Sequence, residues 1–155
     1  MSFSRGKDVV INIFHQNIRS LRKNFEMFLV ELEASFVYHE IIVLSEIWIM
    51  SNETNFYEIP NYTKLSNCND NYRAGGVAIF VKNNIEILKS ENLILSSADA
   101  IRLDFKVSFQ VFTIFALYRL QNVQKILFLN EIETYFNSAN NLKELKNVFL
   151  LEILI

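Results

Sequence analysis

The hydrophobic pattern changes its period twice within the first 45 residues, and this change constrains the fold more than any other feature. An apolar run at residues 9–14 is followed by apolar residues at helical spacing from 21 to 36, and a second apolar run covers Ile41–Ser45. Strand, helix and strand in this order predict a β-α-β unit. We therefore expect the first two strands to be parallel, with one helix between them.

A polar side chain follows each of these two runs. Asn17 comes shortly after the first run, and Glu46 comes directly after the second. Because the carboxyl ends of parallel strands meet at one edge of a sheet, Asn17 and Glu46 are predicted to lie close together. A charge at the end of a buried strand usually has a partner, and a metal ion is a common one. The alternatives are an exposed glutamate at a strand end and an asparagine that serves as a turn or cap residue.

The rest of the chain predicts a mixed sheet with helices outside it. Gly75-Gly76 opens an apolar run, and Asn83-Asn84 predicts a hairpin turn into the next strand. Residues 1–155 are expected to form one α/β domain. The further predicted strands lie near 62–66, at 77–82, 85–88, 101–107, 109–117 and 148–151, and a second helix is predicted over 123–136.

Composition and charge limit the possible partners and compartments. The chain is 51% hydrophobic and 21% charged, which excludes a disordered tail. Its net charge of −2 supplies no global attraction for DNA, so contact with nucleic acid would need a local basic patch or a metal. The sequence shows no signal peptide and no apolar run of the roughly 20 residues that span a membrane. With a single cysteine, Cys68, it is expected to be intracellular, either nuclear or cytoplasmic.

Four segments taken in order resemble one known family. They are Asn17 after the first strand, Leu-Ser-Glu-Ile-Trp at 44–48, Arg-Ala-Gly-Gly-Val-Ala-Ile at 73–79, and Tyr118-Arg119 after a later strand. This order is similar to that of the exonuclease–endonuclease–phosphatase superfamily, and especially to the apurinic-endonuclease-like domain of non-LTR retrotransposons. The resemblance implies the N-terminal part of a two-sheet α/β sandwich.

The resemblance also implies a chemistry, which is Mg²⁺-dependent hydrolysis of phosphodiesters and nicking of target DNA. Glu46 matches the metal ligand, and Asn17 matches the residue that supports the metal and the scissile phosphate. Tyr118 would contact the phosphate or the attacking water, and Arg73 and Arg119 would support substrate binding. Taken alone, Arg73 is an ordinary arginine in a turn, Arg119 is better seen as a supporting residue, and Tyr118 is a buried tyrosine with a satisfied hydroxyl.

Two departures from the family lead us to expect an inactive chain. Relatives carry two prolines where this sequence has Leu120 and Gln121, and Gly-Asp-Phe-Asn where it ends in 152–155. Deleting one base from codons for Gly-Asp-Phe-Asn-Ile-Asp yields Glu-Ile-Leu-Ile and a stop, so we expect a frameshifted, C-terminally truncated endonuclease without the later Ser-Asp-His motif. The alternative is a non-enzymatic fragment or binding module that associates with itself through an uncovered sheet face lined with Ile and Phe.

Overall fold

The computed structural model describes residues 9–68, 70–71, 74–138 and 147–153. These residues form two α-helices, eight strands and a short 3-10 helix at Ser51–Phe56. No helix in the described ranges is long and apolar enough to cross a membrane. The elements in chain order are β1 (Ile13–Asn17), α1 (Leu21–Ala34), β2 (Ile41–Ser45), β3 (Tyr62–Asn67), β4 (Val77–Lys82), β5 (Glu86–Ile94), β6 (Ala98–Val107), β7 (Gln110–Arg119), α2 (Lys125–Ser138) and β8 (Val148–Ile153).

The strands form two mixed sheets of four strands each. The first sheet has the order β1-β2-β4-β3, and the second has the order β5-β6-β7-β8. In the first sheet β1 and β2 are parallel, whereas both pairs that involve β4 are antiparallel. In the second sheet only β7 and β8 are parallel. The predicted parallel pairing across α1 is therefore confirmed.

The two sheets pack face to face, and each carries a helix on its outer side. Alternate residues of β2, β4, β6 and β7 point inward, as the two-residue period of a strand requires. On the outside of the first sheet α1 buries Leu21, Phe25 and Phe28, which recur at helical spacing. On the outside of the second sheet α2 buries Phe128 against Phe115. The predicted α/β fold class, with mixed sheets and outer helices, is confirmed.

The first strand begins later than the sequence predicted. The expected strand covered residues 9–14, whereas β1 covers Ile13–Asn17 and includes three polar residues. The reason is its register with β2, in which Ile13 faces Ile41 and Asn17 faces Ser45. Pairing with a fully buried neighbour extends the strand beyond its own apolar run, because partner hydrogen bonds override local propensity.

The turn at Asn83-Asn84 is present, but it does not make a hairpin. The Ile85 amide donates to the Lys82 carbonyl at 2.9 Å, as a tight turn requires. However, β4 and β5 lie in different sheets, so the turn carries the chain across the sandwich. The hairpin prediction was wrong because local turn chemistry does not determine which strand a segment pairs with.

The expectation of an uncovered sheet face was also wrong. Both inner faces bury each other, and both outer faces carry a helix. What the described residues leave open is the sheet edges, which are β1 and β3 in the first sheet and β5 and β8 in the second. Self-association through the sheets stays a prediction, with these edges as its more plausible route.

Candidate active site

The candidate site begins where β1 and β2 end. The register that places Asn17 opposite Ser45 brings the next residue of β2's chain, Glu46, alongside Asn17. Asn17 Nδ2 donates a hydrogen bond to Glu46 Oε1 at 2.9 Å. Glu46 is only 4% exposed, so the hydrogen bond from the Asn17 amide replaces part of the hydration that its carboxylate loses on burial. The predicted proximity of the two side chains is confirmed, while their chemical roles stay predictions.

The orientation of the Asn17 amide follows from its two partners. Its Oδ1 accepts a hydrogen bond from the Arg19 amide at 3.2 Å, and its Nδ2 faces a carboxylate that can only accept. Reversing the amide would set two donors against each other and two acceptors against each other. In this structure Asn17 therefore orients Glu46, and its oxygen is engaged with the backbone.

The backbone at Glu46 is held from two sides. Glu46 has a φ of 52° and Trp48 a φ of 50°, in the left-handed region that non-glycine residues rarely adopt. The Glu46 carbonyl accepts from the Ser20 amide at 2.8 Å, just before α1, and the Trp48 amide donates to the Gly75 carbonyl at 3.0 Å. Strained backbone persists where the surroundings fix it, and such positions cluster at functional sites.

Tyr118 brings the second sheet to the same site. Its side chain is 1% exposed, and its hydroxyl has no hydrogen bond of good geometry within the described ranges. Burial raises the pKa of Tyr118, and the negative charge of Glu46 raises it further, against a lowering by the Gln121 side chain. The phenol is therefore a protonated hydroxyl at neutral pH, with a proton it can donate. The glycine turn links Tyr118 to the segment of Glu46, because the Gly75 carbonyl accepts from the Trp48 amide and a Cβ on Gly75 would lie 2.9 Å from Tyr118 Cε1.

The residues after Tyr118 show how the chain does without prolines. The Leu120 amide donates to the Ser97 carbonyl at 2.9 Å, a bond that proline at this position could not make. Arg119 Nη1 donates to the Val123 carbonyl, which ties down the turn that follows β7. Arg119 is thus placed to support the loop beside Tyr118. The other predicted substrate contact, Arg73, lies outside the described residues.

A cleft lies beside these groups. It has a volume of about 390 Å³ and is lined by Ser20, Arg22, Trp48, Ala74 and Gln121. A second cavity of about 280 Å³ shares two of these residues and reaches Tyr118. Trp48 contributes an aromatic side chain to the lining of the cleft, while its indole N–H is buried with no partner among the described residues.

Asp99 matches a position where members of the resembled family often carry an acidic residue, but the sequence indicated no chemical role for it. It is 7% exposed, and its Oδ2 accepts a hydrogen bond from the Gly76 amide at 2.8 Å. Burial raises the pKa of Asp99, and the bond from Gly76 partly offsets this. The available signal was an acidic residue at the start of a strand whose neighbours, Ala98 and Ala100, are apolar.

The donor set fits one kind of metal ion. The described ranges contain no group of three or more His, Cys, Asp or Glu side chains that could hold a metal, which argues against an all-protein cage. Mg²⁺ is commonly held by one or two carboxylates and keeps several waters. Glu46, oriented by Asn17, fits that mode of binding.

Comparison with known proteins identifies the fold. No protein-family model matches the sequence, and no curated protein matches it. Among solved structures, the human Nocturnin catalytic domain with bound sulfate is 15% identical with a TM-score of 0.69, and the match covers 92% of this chain and 62% of that one. D. rerio TDP2 complexed with a single-stranded DNA product is 13% identical with a TM-score of 0.66, and the match covers 94% of this chain and 60% of that one.

An endonuclease/exonuclease/phosphatase family protein from Bacteroides thetaiotaomicron has 11% identity, a TM-score of 0.69, and coverages of 92% and 61%. The two mixed sheets and their flanking helices therefore match part of the exonuclease–endonuclease–phosphatase α/β sandwich fold, as the sequence resemblance predicted. The chain spans less than two thirds of each of these three structures. At such identities the likeness shows the fold alone.

Proposed function

We propose that this chain carries the metal-holding part of a phosphodiesterase site, and that its substrate is DNA. The observation that supports this most strongly is the Asn17–Glu46 hydrogen bond at the ends of two parallel strands, beside Tyr118 from the other sheet. The resemblance of residues 44–48 to the retrotransposon branch is the reason for proposing target-DNA nicking as the ancestral reaction.

Each residue has a distinct role in this proposal. Glu46 would hold Mg²⁺, which when bound polarises a phosphate and stabilises the charge that develops on it. Asn17 keeps the carboxylate of Glu46 in one orientation. The Tyr118 hydroxyl donates a hydrogen bond to a phosphate oxygen or to a water, and Arg119 holds the loop that follows it. Arg73 would contribute positive charge for the DNA backbone.

We expect weak Mg²⁺ binding and little or no cleavage by this chain alone. The reason is that the described part of the site offers one carboxylate for the metal, Glu46, and no cluster of ligating side chains around it. Catalytic groups that act as a unit lose most of their effect when the unit is incomplete. The site is therefore better suited to binding a metal and a phosphate than to rapid turnover.

The direct test is nicking of supercoiled plasmid DNA in Mg²⁺ and in EDTA, at high protein concentration. Any nicking by the chain should require Mg²⁺ and should disappear in Glu46→Ala. The matched control is Glu91→Ala, which removes an exposed glutamate paired with Lys89 on β5. Nicking that survives in EDTA or in Glu46→Ala would contradict the proposal, and so would a wild-type chain whose Trp48 fluorescence does not respond to Mg²⁺.

A second candidate function is a non-enzymatic module that associates through its sheet edges. It is favoured by one observation, that the edge strands β1, β3, β5 and β8 are each paired on one side only among the described residues. An open edge can accept a strand from another chain. Light scattering over a hundredfold range of concentration would detect a dimer, and a monomer throughout would count against self-association.

A further inference from the structure

A buried carboxylate in the second sheet is connected by hydrogen bonds to the segment that directly follows the metal-ligand candidate Glu46 in the first. We propose that Asp99 is a positioning residue for the candidate site, which fixes the Gly75-Gly76 turn and through it the backbone around Glu46. The part of this inference that concerns Mg²⁺ rests on the function proposed above. The part that concerns the turn stands without it.

The first link is between Asp99 and the turn. Asp99 Oδ2 accepts the Gly76 amide at 2.8 Å, and this bond is buried. Burying a carboxylate is unfavourable unless hydrogen bonds compensate for lost water. An apolar residue could fill this space without the desolvation cost of a carboxylate. The acidic side chain therefore indicates a structural role for its hydrogen bond to Gly76.

The second link runs from the turn to the segment that carries Glu46. The Gly75 carbonyl accepts the Trp48 amide at 3.0 Å, and the Gly76 carbonyl lies 3.5 Å from the Ile47 amide. These amides belong to the two residues after the left-handed Glu46. The turn that Asp99 holds therefore provides the backbone carbonyls to which the two residues after Glu46 are hydrogen-bonded.

The third link joins Asp99 to Tyr118. The two residues are directly opposite each other in the register of β6 and β7. A Cβ placed on Gly75 would lie 2.8 Å from Asp99 Oδ2 and 2.9 Å from Tyr118 Cε1, so both side chains press against the same glycine. Asp99 therefore fixes the distance between the turn and Tyr118 as well as the backbone at Glu46.

The first experiment reads the turn directly. The chain has three glycines, so selective labelling with ¹⁵N-glycine gives at most three amide signals, including those of Gly75 and Gly76. Asp99→Ala should speed hydrogen exchange at Gly76 by at least about tenfold, because a hydrogen bond to a charged group contributes about 1.5–3 kcal/mol. Asp99→Asn should keep the protection, because its amide oxygen can accept the same bond.

A matched control lies on the same strand. Asp104 is also a largely buried carboxylate of β6, but it pairs with Arg102 and accepts from Thr113, away from the glycine turn. Asp104→Ala should destabilise the fold and leave local exchange at Gly76 unchanged under conditions where the protein remains folded. Unchanged Gly76 exchange in Asp99→Ala would overturn the proposal.

The second experiment reads the consequence at Glu46. The chain has one tryptophan, Trp48, so its fluorescence reports a titration with Mg²⁺ without interference. Residues that support a ligand typically change metal affinity by about 10–100-fold when removed. We expect a loss of about tenfold in Asp99→Ala, recovery to within about threefold in Asp99→Asn, and no change in Asp104→Ala. Equal losses in both alanine variants would show a general effect of stability and refute positioning.

The outcomes separate the two proposals. A wild-type chain that binds no Mg²⁺ would refute the proposed function, while Gly76 exchange would still decide whether Asp99 holds the turn. If Asp99→Ala does not fold, Asp99→Asn carries the test. It must then keep Gly76 protected, and loss of that protection would overturn the proposal.

Discussion

Replacing Asn17 by aspartate tests the central contact of the site most severely. In the wild-type chain Asn17 Nδ2 donates to Glu46 Oε1 at 2.9 Å, and Glu46 is almost fully buried. Asn17→Asp leaves the shape of the side chain nearly unchanged but turns the donor into a second carboxylate. The substitution therefore removes a hydrogen bond and adds repulsion at the same place.

The magnitude can be worked out from this geometry. Loss of a hydrogen bond to a charged group costs about 1.5–3 kcal/mol. Two charges about 4 Å apart repel by about 4 kcal/mol at an effective dielectric constant of 20. Protonating the introduced aspartate, whose reference pKa is about 3.9, costs about 4 kcal/mol at pH 7, and the protonated acid can again donate to Glu46, so the total loss cannot exceed about 4 kcal/mol. We expect Asn17→Asp to lower the free energy of unfolding by about 4 kcal/mol at pH 7, and Asn17→Ala by about 2 kcal/mol.

Thermal unfolding in EDTA, followed by circular dichroism at pH 7 and pH 5, measures these differences. At pH 5 protonation of the introduced aspartate costs only about 1.5 kcal/mol, so Asn17→Asp should recover about 2–3 kcal/mol relative to wild type. Mg²⁺ should stabilise Asn17→Asp more than wild type, because a pair of carboxylates binds the ion more strongly than one. An aspartate variant as stable as the alanine variant at pH 7 would refute the proximity on which the site is built.

Three further predictions address other parts of the fold. Gly75→Ala should destabilise the chain by about 1–3 kcal/mol in chemical denaturation, because its φ of +100° is strained for alanine and the new Cβ would lie 2.8 Å from Asp99 Oδ2. Tyr118→Phe should be as stable as wild type or more so in the same assay, since it removes a buried hydroxyl with no good partner in the described ranges, yet any Mg²⁺-dependent nicking should fall. Burial opposes the charge of Glu131, but hydrogen bonds from Ser97 and Ser96 outweigh it and lower its pKa, so Glu131→Gln should be less stable than wild type at pH 7. That gap in melting temperature should close as the pH falls below about 4.3, where the wild-type carboxylate takes up its proton.

The sequence predicted best those parts of the fold that depend on local pattern. The apolar run Ile41–Ser45 matches β2 in full, and the helical spacing that begins at Leu21 matches the start of α1. These elements have one apolar face or are buried on both faces, so the pattern follows directly from burial. The sequence failed where pairing decides the outcome. The turn at Asn83-Asn84 was correct, but nothing local indicates that the next strand joins another sheet.

The candidate site also has a part that could be predicted from the sequence and a part that depends on how the sheets pack. The proximity of Asn17 and Glu46 follows from the rule that parallel strands end at one edge, so two residues 29 positions apart could be placed together without coordinates. The approach of Tyr118 required the packing of two sheets, and before the structure only the family resemblance suggested it. Its electrostatic coupling to Glu46 is a result of the sandwich and not of any local motif.

Asp99 shows why the remaining part could not be predicted. Its partner is a backbone amide 23 residues earlier in the chain, and an amide leaves no mark in the sequence. An acidic residue between apolar neighbours indicates only that some compensation exists, since an uncompensated buried carboxylate is strongly unfavourable. The compensation is a turn whose two glycines are needed because Asp99 and Tyr118 occupy the space that a side chain on Gly75 would fill. The glycine pair and Asp99 therefore form one structural unit, and a substitution in either should loosen the backbone that follows Glu46.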